Sequence, residues 1–271
     1  MEYQTIIKTL RNTLMPASIC LKDDDHKLKL VLMAHGFCSN RHEDGAFSLL
    51  ARRLLDHGIS SIRIDFPGCG DSDESYLFNT IDNDVDDLRT AYEYLAKDYE
   101  IVSLAIVGYS MGGKVAVHYL EKYPDAKGLL LFAPAITNGL DWHHSSIALG
   151  RSKEMERAYE IANAQGYFNY FNEFDGKYVP LSKAFLEQCL SYKTFDIFNE
   201  ISIPAMMIYG DEDDIIPLEI YDEMILKAAN PQFSHHMIKG ADHGFGMWNN
   251  KKELFRELQD TAYGFLIEQL D

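Results

Sequence analysis

Short apolar runs alternate along the chain with longer amphipathic stretches. Leu30 to Ala34, Ser61 to Phe66, Leu104 to Gly108, Leu129 to Ala133 and Ala205 to Tyr209 have the length and composition of buried strands. His235 to Ile238 is a sixth run with a weaker pattern. The intervals carry helical periodicity. Ala46 to His57 repeats Leu49, Leu50, Leu54 and Leu55 at helical spacing, and Gly58 stops it. Ile81 to Lys97 puts Val85, Leu88, Tyr92 and Leu95 on one face, with Asp82, Asp84, Asp86 and Asp87 in the first turns, where the helix dipole favours acids. Met111 to Tyr123 and Lys252 to Leu270 read as two more helices. Strands alternating with helices predict an α/β fold with a mostly parallel sheet. Tyr3 to Thr9 and Leu14 to Leu21 predict an antiparallel start, followed by a solvated turn from Lys22 to Lys27.

One stretch breaks this rhythm. From Thr137 to Glu200 helical patterns and aromatic residues dominate, with no convincing strand. Phe, Trp and Tyr make up 12 of its 64 residues, against 12% of the whole chain. The expected organisation is an α/β core from residues 1–136 and 201–271, with residues 137–200 a small helical cap inserted between two core strands. The 271 residues are enough for one large domain of this kind.

Charge narrows the partners. Against 25 Lys and Arg stand 42 Asp and Glu, a net charge of −17. Such a surface repels phosphate backbones and anionic lipid, so neither nucleic acid nor a membrane is an expected partner. No run approaches the roughly 18 apolar residues of a membrane span, and with no basic stretch followed by an apolar run after Met1-Glu2-Tyr3-Gln4, a secretion signal is not expected. Cys20, Cys38, Cys69 and Cys189 are scattered, with no C-x-x-C pair. Reduced thiols, no disulfide framework, no zinc site and a cytoplasmic location are the expectations.

The chemistry begins at Gly108-Tyr109-Ser110-Met111-Gly112, a G-x-S-x-G pentapeptide between an apolar strand and a helix. A serine at such a bend is lifted above the sheet edge, at a helix N-terminus where negative charge is stabilised. Its hydroxyl needs a base. His243, in Gly240-Ala241-Asp242-His243-Gly244-Phe245, follows the last strand and sits where ligands bind in open α/β sheets. The imidazole in turn needs a carboxylate, and Gly210-Asp211-Glu212-Asp213-Asp214 follows the fifth strand. The chain order serine, acid, histidine is the one used by α/β-hydrolases. A calcium loop is the other reading of these acids, but the glycine-centred spacing is missing, and no metal is expected. The backbone N–H groups of Phe37, after His35-Gly36, and of Met111 would meet at one oxygen as an oxyanion hole.

His35-Gly36-Phe37, Asp65-Phe66-Pro67-Gly68-Cys69-Gly70-Asp71-Ser72-Asp73, Gly108 to Gly113 and Gly240 to Phe245 together resemble the bacterial cinnamoyl (feruloyl) esterases of the α/β-hydrolase superfamily. The resemblance runs from the Leu30 strand to the last helix. It implies Ser110 as nucleophile, His243 as base and Asp213 as acid, Phe37 and Met111 as oxyanion donors, no cofactor, and a small cap between the fourth and fifth parallel strands. Asp213 stands three residues after Gly210 and four before Pro217, the superfamily's common spacing. The run from Ala133 to Asp141 resembles the family's passage into the cap, where an acid can meet a phenol. Met111 departs from the glutamine often found there, and the cap sequence is dissimilar.

The expected activity is hydrolysis of a small carboxylic ester of a short-chain or aromatic acid. Trp142 is the candidate pocket wall and Asp141 the candidate acceptor for a substrate hydroxyl. A thioesterase, acyltransferase, monoacylglycerol lipase or C–C hydrolase could use the same triad. A non-catalytic receptor on this fold is the remaining class, though here all three triad residues are present. A homodimer is the assembly kept in view.

Overall fold

The computed structural model describes residues 1–22, 26–138, 152–173 and 175–271. Two strands, β1 (Glu2–Lys8) and β2 (Leu14–Cys20), form the antiparallel start. There follow β3 (Lys27–Ala34), α1 (Ala46–Asp56), β4 (Ser60–Ile64), α2 (Ile81–Ala96), β5 (Glu100–Tyr109), α3 (Met111–Lys122) and β6 (Gly128–Phe132). After the interruption come β9 (Ala205–Gly210), α7 (Leu218–Lys227), β10 (Phe233–Ile238) and α8 (Lys252–Leu270). The eight strands form one sheet in the order β1-β2-β4-β3-β5-β6-β9-β10. From β4 to β10 every pairing is parallel, and β2 alone is reversed, running antiparallel to both its neighbours, β1 and β4.

Side-chain alternation decides the layers. Leu28, Leu30 and Leu32 of β3 face one core, with Val85 and Leu88 of α2 and Val115 of α3. Val31 and Met33 face the other, with Phe47, Leu50 and Leu54 of α1 and Leu258, Ala262 and Leu266 of α8. A strand buried on both faces reads as a continuous apolar run, which is why these strands stand out in the sequence. The polar starts of β5 and β10 do not. Glu100–Ser103 pair with Lys27–Lys29 and Phe233 pairs with Ala205, so ladder hydrogen bonds extend both strands beyond their apolar centres.

Residues 137–200 are not wholly helical, which corrects the expectation. Between α4 (Ser152–Gln165) and the helices α5 (Lys183–Ser191) and α6 (Thr194–Glu200) lies an antiparallel hairpin of β7 (Tyr167–Asn172) and β8 (Lys177–Ser182). Pro180 argues against a strand from sequence. Both strands of a two-stranded sheet are edges, however, and there proline is tolerated opposite Asn169. No helix among the described residues is long and apolar enough to cross a membrane.

Candidate active site

Strand register brings the candidate residues to one edge of the sheet. Ala34 pairs with Gly108, Tyr109 with Phe132, Phe132 with Ile208, and Gly210 with Ile238. The loops after β3, β5, β9 and β10 therefore leave the sheet at nearly the same level, carrying Phe37, Ser110, Asp213 and His243.

Ser110 is the single residue between β5 and α3, and its backbone is left-handed, with φ 51° and ψ −115°. A non-glycine residue held there costs about 1–3 kcal/mol, which the surroundings must supply. Ser110 N–H donates to the Phe132 carbonyl at 2.8 Å, and its own carbonyl accepts from Gly113 and Ala135, each at 3.0 Å. Close approach explains the flanking glycines. A Cβ on Gly112 would collide with the Ala34 carbonyl, and one on Gly108 with the backbone of Gly112. The serine is half-buried at the N-terminus of the 12-residue α3.

His243 and Asp213 meet. His243 Nδ1 lies 2.8 Å from Asp213 Oδ2, and both residues are buried. Asp213 Oδ1 also accepts the N–H groups of Ile215 and Ile216 at 2.9 and 2.8 Å, and Oδ2 the Tyr221 hydroxyl at 2.8 Å. A carboxylate only accepts, so Nδ1 carries the hydrogen, and in a neutral imidazole that tautomer makes Nε2 the acceptor. The neighbouring acids are placed differently. Asp211 Oδ1 accepts the Gly240 N–H at 2.5 Å, bracing the two loops together. Asp214 is exposed.

The Phe37 loop is pinned from within. His35 is buried, and burial lowers its imidazole from 6.5 to about 4, so the ring is neutral. Its Nε2 accepts the Phe66 N–H at 3.1 Å, so Nδ1 donates to the Gly36 carbonyl at 2.8 Å. A trans peptide points its C=O and N–H in opposite directions. With the Gly36 carbonyl turned toward His35, the Phe37 N–H faces the other way. The buried Arg41 guanidinium pairs with Asp65 and also binds Asp71 at 2.7 Å, tying this loop to the one after β4. Met111 opens α3, so its N–H has no intrahelical acceptor. Over the loop, the Phe37 ring stacks on Phe185 of α5 at 5.9 Å and meets Tyr170 of β7 edge-on at 5.5 Å.

Asp141 and Trp142 lie outside the described residues. Three side chains escape the sequence reading. Tyr221 supports Asp213, Tyr109 donates its hydroxyl to the His243 carbonyl, and Trp248 packs its ring 6.0 Å from the His243 ring. Only Trp248 left a signal, as one of two tryptophans in the chain. Among the described residues, no group of three or more His, Cys, Asp or Glu is placed to hold a metal ion.

The topology and the strained serine turn are those of an α/β-hydrolase. The chain belongs to the Hydrolase_4 family (serine aminopeptidase, S33), which it matches over residues 25–161. It is 24% identical to Lipase 1 of Psychrobacter immobilis, over 79% of this chain and 70% of the relative. It is 23% identical to monoacylglycerol lipase ABHD6 of Homo sapiens, over 82% of this chain and 72% of the relative. Its fold is similar to that of Est1E from Butyrivibrio proteoclasticus, solved with ferulic acid bound. That match has a TM-score of 0.74 and 18% identity, and covers 98% of each chain.

Proposed function

We propose that the protein hydrolyses carboxylic esters through an acyl-enzyme on Ser110. The observation that carries this reading is the buried 2.8 Å contact of His243 Nδ1 with Asp213 on the same sheet edge as the Ser110 turn. Asp213 orients the imidazole, and Nε2 takes the serine proton as Oγ attacks the carbonyl carbon. The carbonyl electron pair moves onto oxygen, and the N–H groups of Phe37 and Met111 donate to it. Collapse breaks the ester C–O bond, and His243 returns its proton to the alcohol. Water then repeats the sequence and releases the acid, with no cofactor in any step.

Esters of short or aromatic acids are the proposed substrates. The rings of Phe37, Tyr76, Tyr170 and Phe185 gather beside the Phe37 donor, offering flat apolar area with few rotors. Residues 137–200 act as the cap, with Trp142 as a pocket wall and Asp141 accepting a substrate hydroxyl. The ferulic acid bound by Est1E supports this choice. The named activity of ABHD6 supports a second reading, monoacylglycerol hydrolysis, and the family description a third, removal of N-terminal residues. A panel of butyrate, octanoate, hydroxycinnamate and monoacylglycerol esters with an aminoacyl anilide separates them. The proposal expects butyrate and hydroxycinnamate to be turned over fastest. Preference for acyl chains of about twelve carbons or more would favour the lipase reading. Turnover of the anilide alone would favour the peptidase.

A further inference from the structure

Glu43 is a buried carboxyl that the proposed triad does not use. It opens a tight turn, Glu43–Gly45, and is 4% exposed. Its Oε1 accepts the backbone N–H of Gly36. A Cβ on Gly36 would lie 3.3 Å from that oxygen and 3.4 Å from the Ser110 Cβ, so Gly36 is wedged between Glu43 and the serine. The turn keeps two consecutive non-glycine residues left-handed, with φ 46° at Glu43 and 49° at Asp44. Strain of this kind persists where its surroundings hold it, often at functional sites. Asp44 uses the other side of the turn. Its Oδ2 accepts the Trp248 indole N–H at 2.9 Å, and Trp248 packs beside His243. One turn thus touches the donor loop through Glu43 and the base loop through Asp44.

Gly36 joins two peptide units. His35 fixes the second through the Gly36 carbonyl, and Glu43 fixes the first through the Gly36 N–H. Without a Cβ, Gly36 has wide freedom in the dihedrals between them. We propose that Glu43 is a positioning residue for ester hydrolysis, holding the Gly36 peptide so that the Phe37 N–H meets the oxyanion, and that it does so as a neutral carboxylic acid. The proposal rests on the reading of Ser110 and Phe37 given above.

Burial favours the neutral form and outweighs the hydrogen bonds from Gly36 and Ser39, which favour the charge. Facing Glu43 are Asp44 on its own turn, Ser39 on the donor loop, Tyr109 at the end of β5 and Cys69 on the loop after β4. Arg41 is committed to Asp65 and Asp71. Burial, with Asp44 adding to it, raises the Glu43 carboxyl from 4.5 to about 8. As an acid it accepts the Gly36 N–H without placing a charge beside the oxyanion hole. As a carboxylate it keeps that bond but sets a negative charge against the developing oxyanion, in a site where water screens little.

The test measures kcat and KM for p-nitrophenyl butyrate between about pH 6 and 10 in the wild type, Glu43→Gln and Glu43→Ala, with Ser110→Ala as the blank. Wild-type kcat is expected to fall above about pH 8 as Glu43 ionises. Glu43→Gln still accepts the Gly36 N–H and cannot ionise, so that fall disappears. Glu43→Ala is expected to lose kcat by about tenfold or more at pH 7, with KM within about threefold, and Glu43→Gln to recover most of the loss. A Gln variant with the wild-type alkaline fall overturns the proposal, and it decides alone if the Ala variant does not fold. Equal kcat losses in both variants with an unchanged pH profile also overturn it. Hydrolysis surviving in Ser110→Ala would overturn the reading of the site. Hydrolysis abolished there, with an unchanged Gln profile, overturns the role of Glu43 only.

Discussion

The Tyr109 hydroxyl donates to the backbone carbonyl of His243 at 2.5 Å, so the residue before the serine holds the loop that carries the imidazole. The Tyr109 ring also meets the His243 ring edge-on at 5.9 Å. Burial raises the phenol well above its ordinary value, which keeps it a donor at any working pH. Tyr109→Phe leaves a buried carbonyl without its donor, at an expected cost of about 1–3 kcal/mol of stability. Thermal unfolding checks this. An unchanged Tm would mean that the bond does not hold the loop.

The acidic loop after β9 allows a ranking. Asp213 receives four donors, one of them from His243, whereas Asp214 faces solvent. Asp213→Asn keeps the shape but favours the wrong imidazole tautomer, and kcat is expected to fall by about 10³–10⁴. Asp214→Asn is expected to change kcat by less than about tenfold. Steady-state kinetics on a chromogenic ester give the order, and the reverse order would move the acid to Asp214.

Gly112 and Gly264 make opposite predictions. A Cβ on Gly112 would strike the carbonyls of Ala34 and His35, so Gly112→Ala is expected to destabilise by about 2 kcal/mol or more. Gly264 is exposed within α8, and nothing lies within 4 Å of the position its Cβ would take. Gly264→Ala should stabilise by about 0.5–1 kcal/mol through the unfolded chain, raising Tm by about 1–3 °C. Calorimetry of the two variants checks both signs.

Much of this arrangement is legible in the sequence because the central strands are buried on both faces. Val31 and Leu32 point to opposite cores, so no polar residue interrupts their run. The serine turn is legible because the close approach of Gly112 to Ala34 excludes any larger side chain. The hairpin of β7 and β8 is not. Asn169, Asn172 and Pro180 blur its alternation, and only pairing of the two strands settles it. The Tyr221 support of Asp213 is hidden for a different reason. Those residues lie eight apart, across a turn into α7, and no local spacing marks such a contact. Glu43 looks like one more acid in an acidic chain until the Gly36 peptide is seen to donate to it.

Glu43 also gives stability a pH dependence of known sign. Its carboxyl is raised from 4.5 to about 8 in the folded protein, because burial penalises the charge. The contribution is fully present below pH 4.5 and declines as the pH rises toward about 8, because unfolding then releases a proton. Glu43→Gln lacks this dependence. The Tm of the variant relative to wild type should therefore climb between about pH 5 and 8. A constant difference across that range would show that Glu43 is already ionised in the fold.

Replacement of the serine hydroxyl tests the central claim most directly. Ser110→Ala removes only Oγ from a residue whose backbone is held by Phe132 and Ala135, so folding should be preserved and is checked by circular dichroism and Tm. Hydrolysis of p-nitrophenyl butyrate should fall by at least about 10³, leaving what binding and the oxyanion donors supply on their own. A folded Ser110→Ala protein that kept more than about a tenth of wild-type turnover would contradict the account.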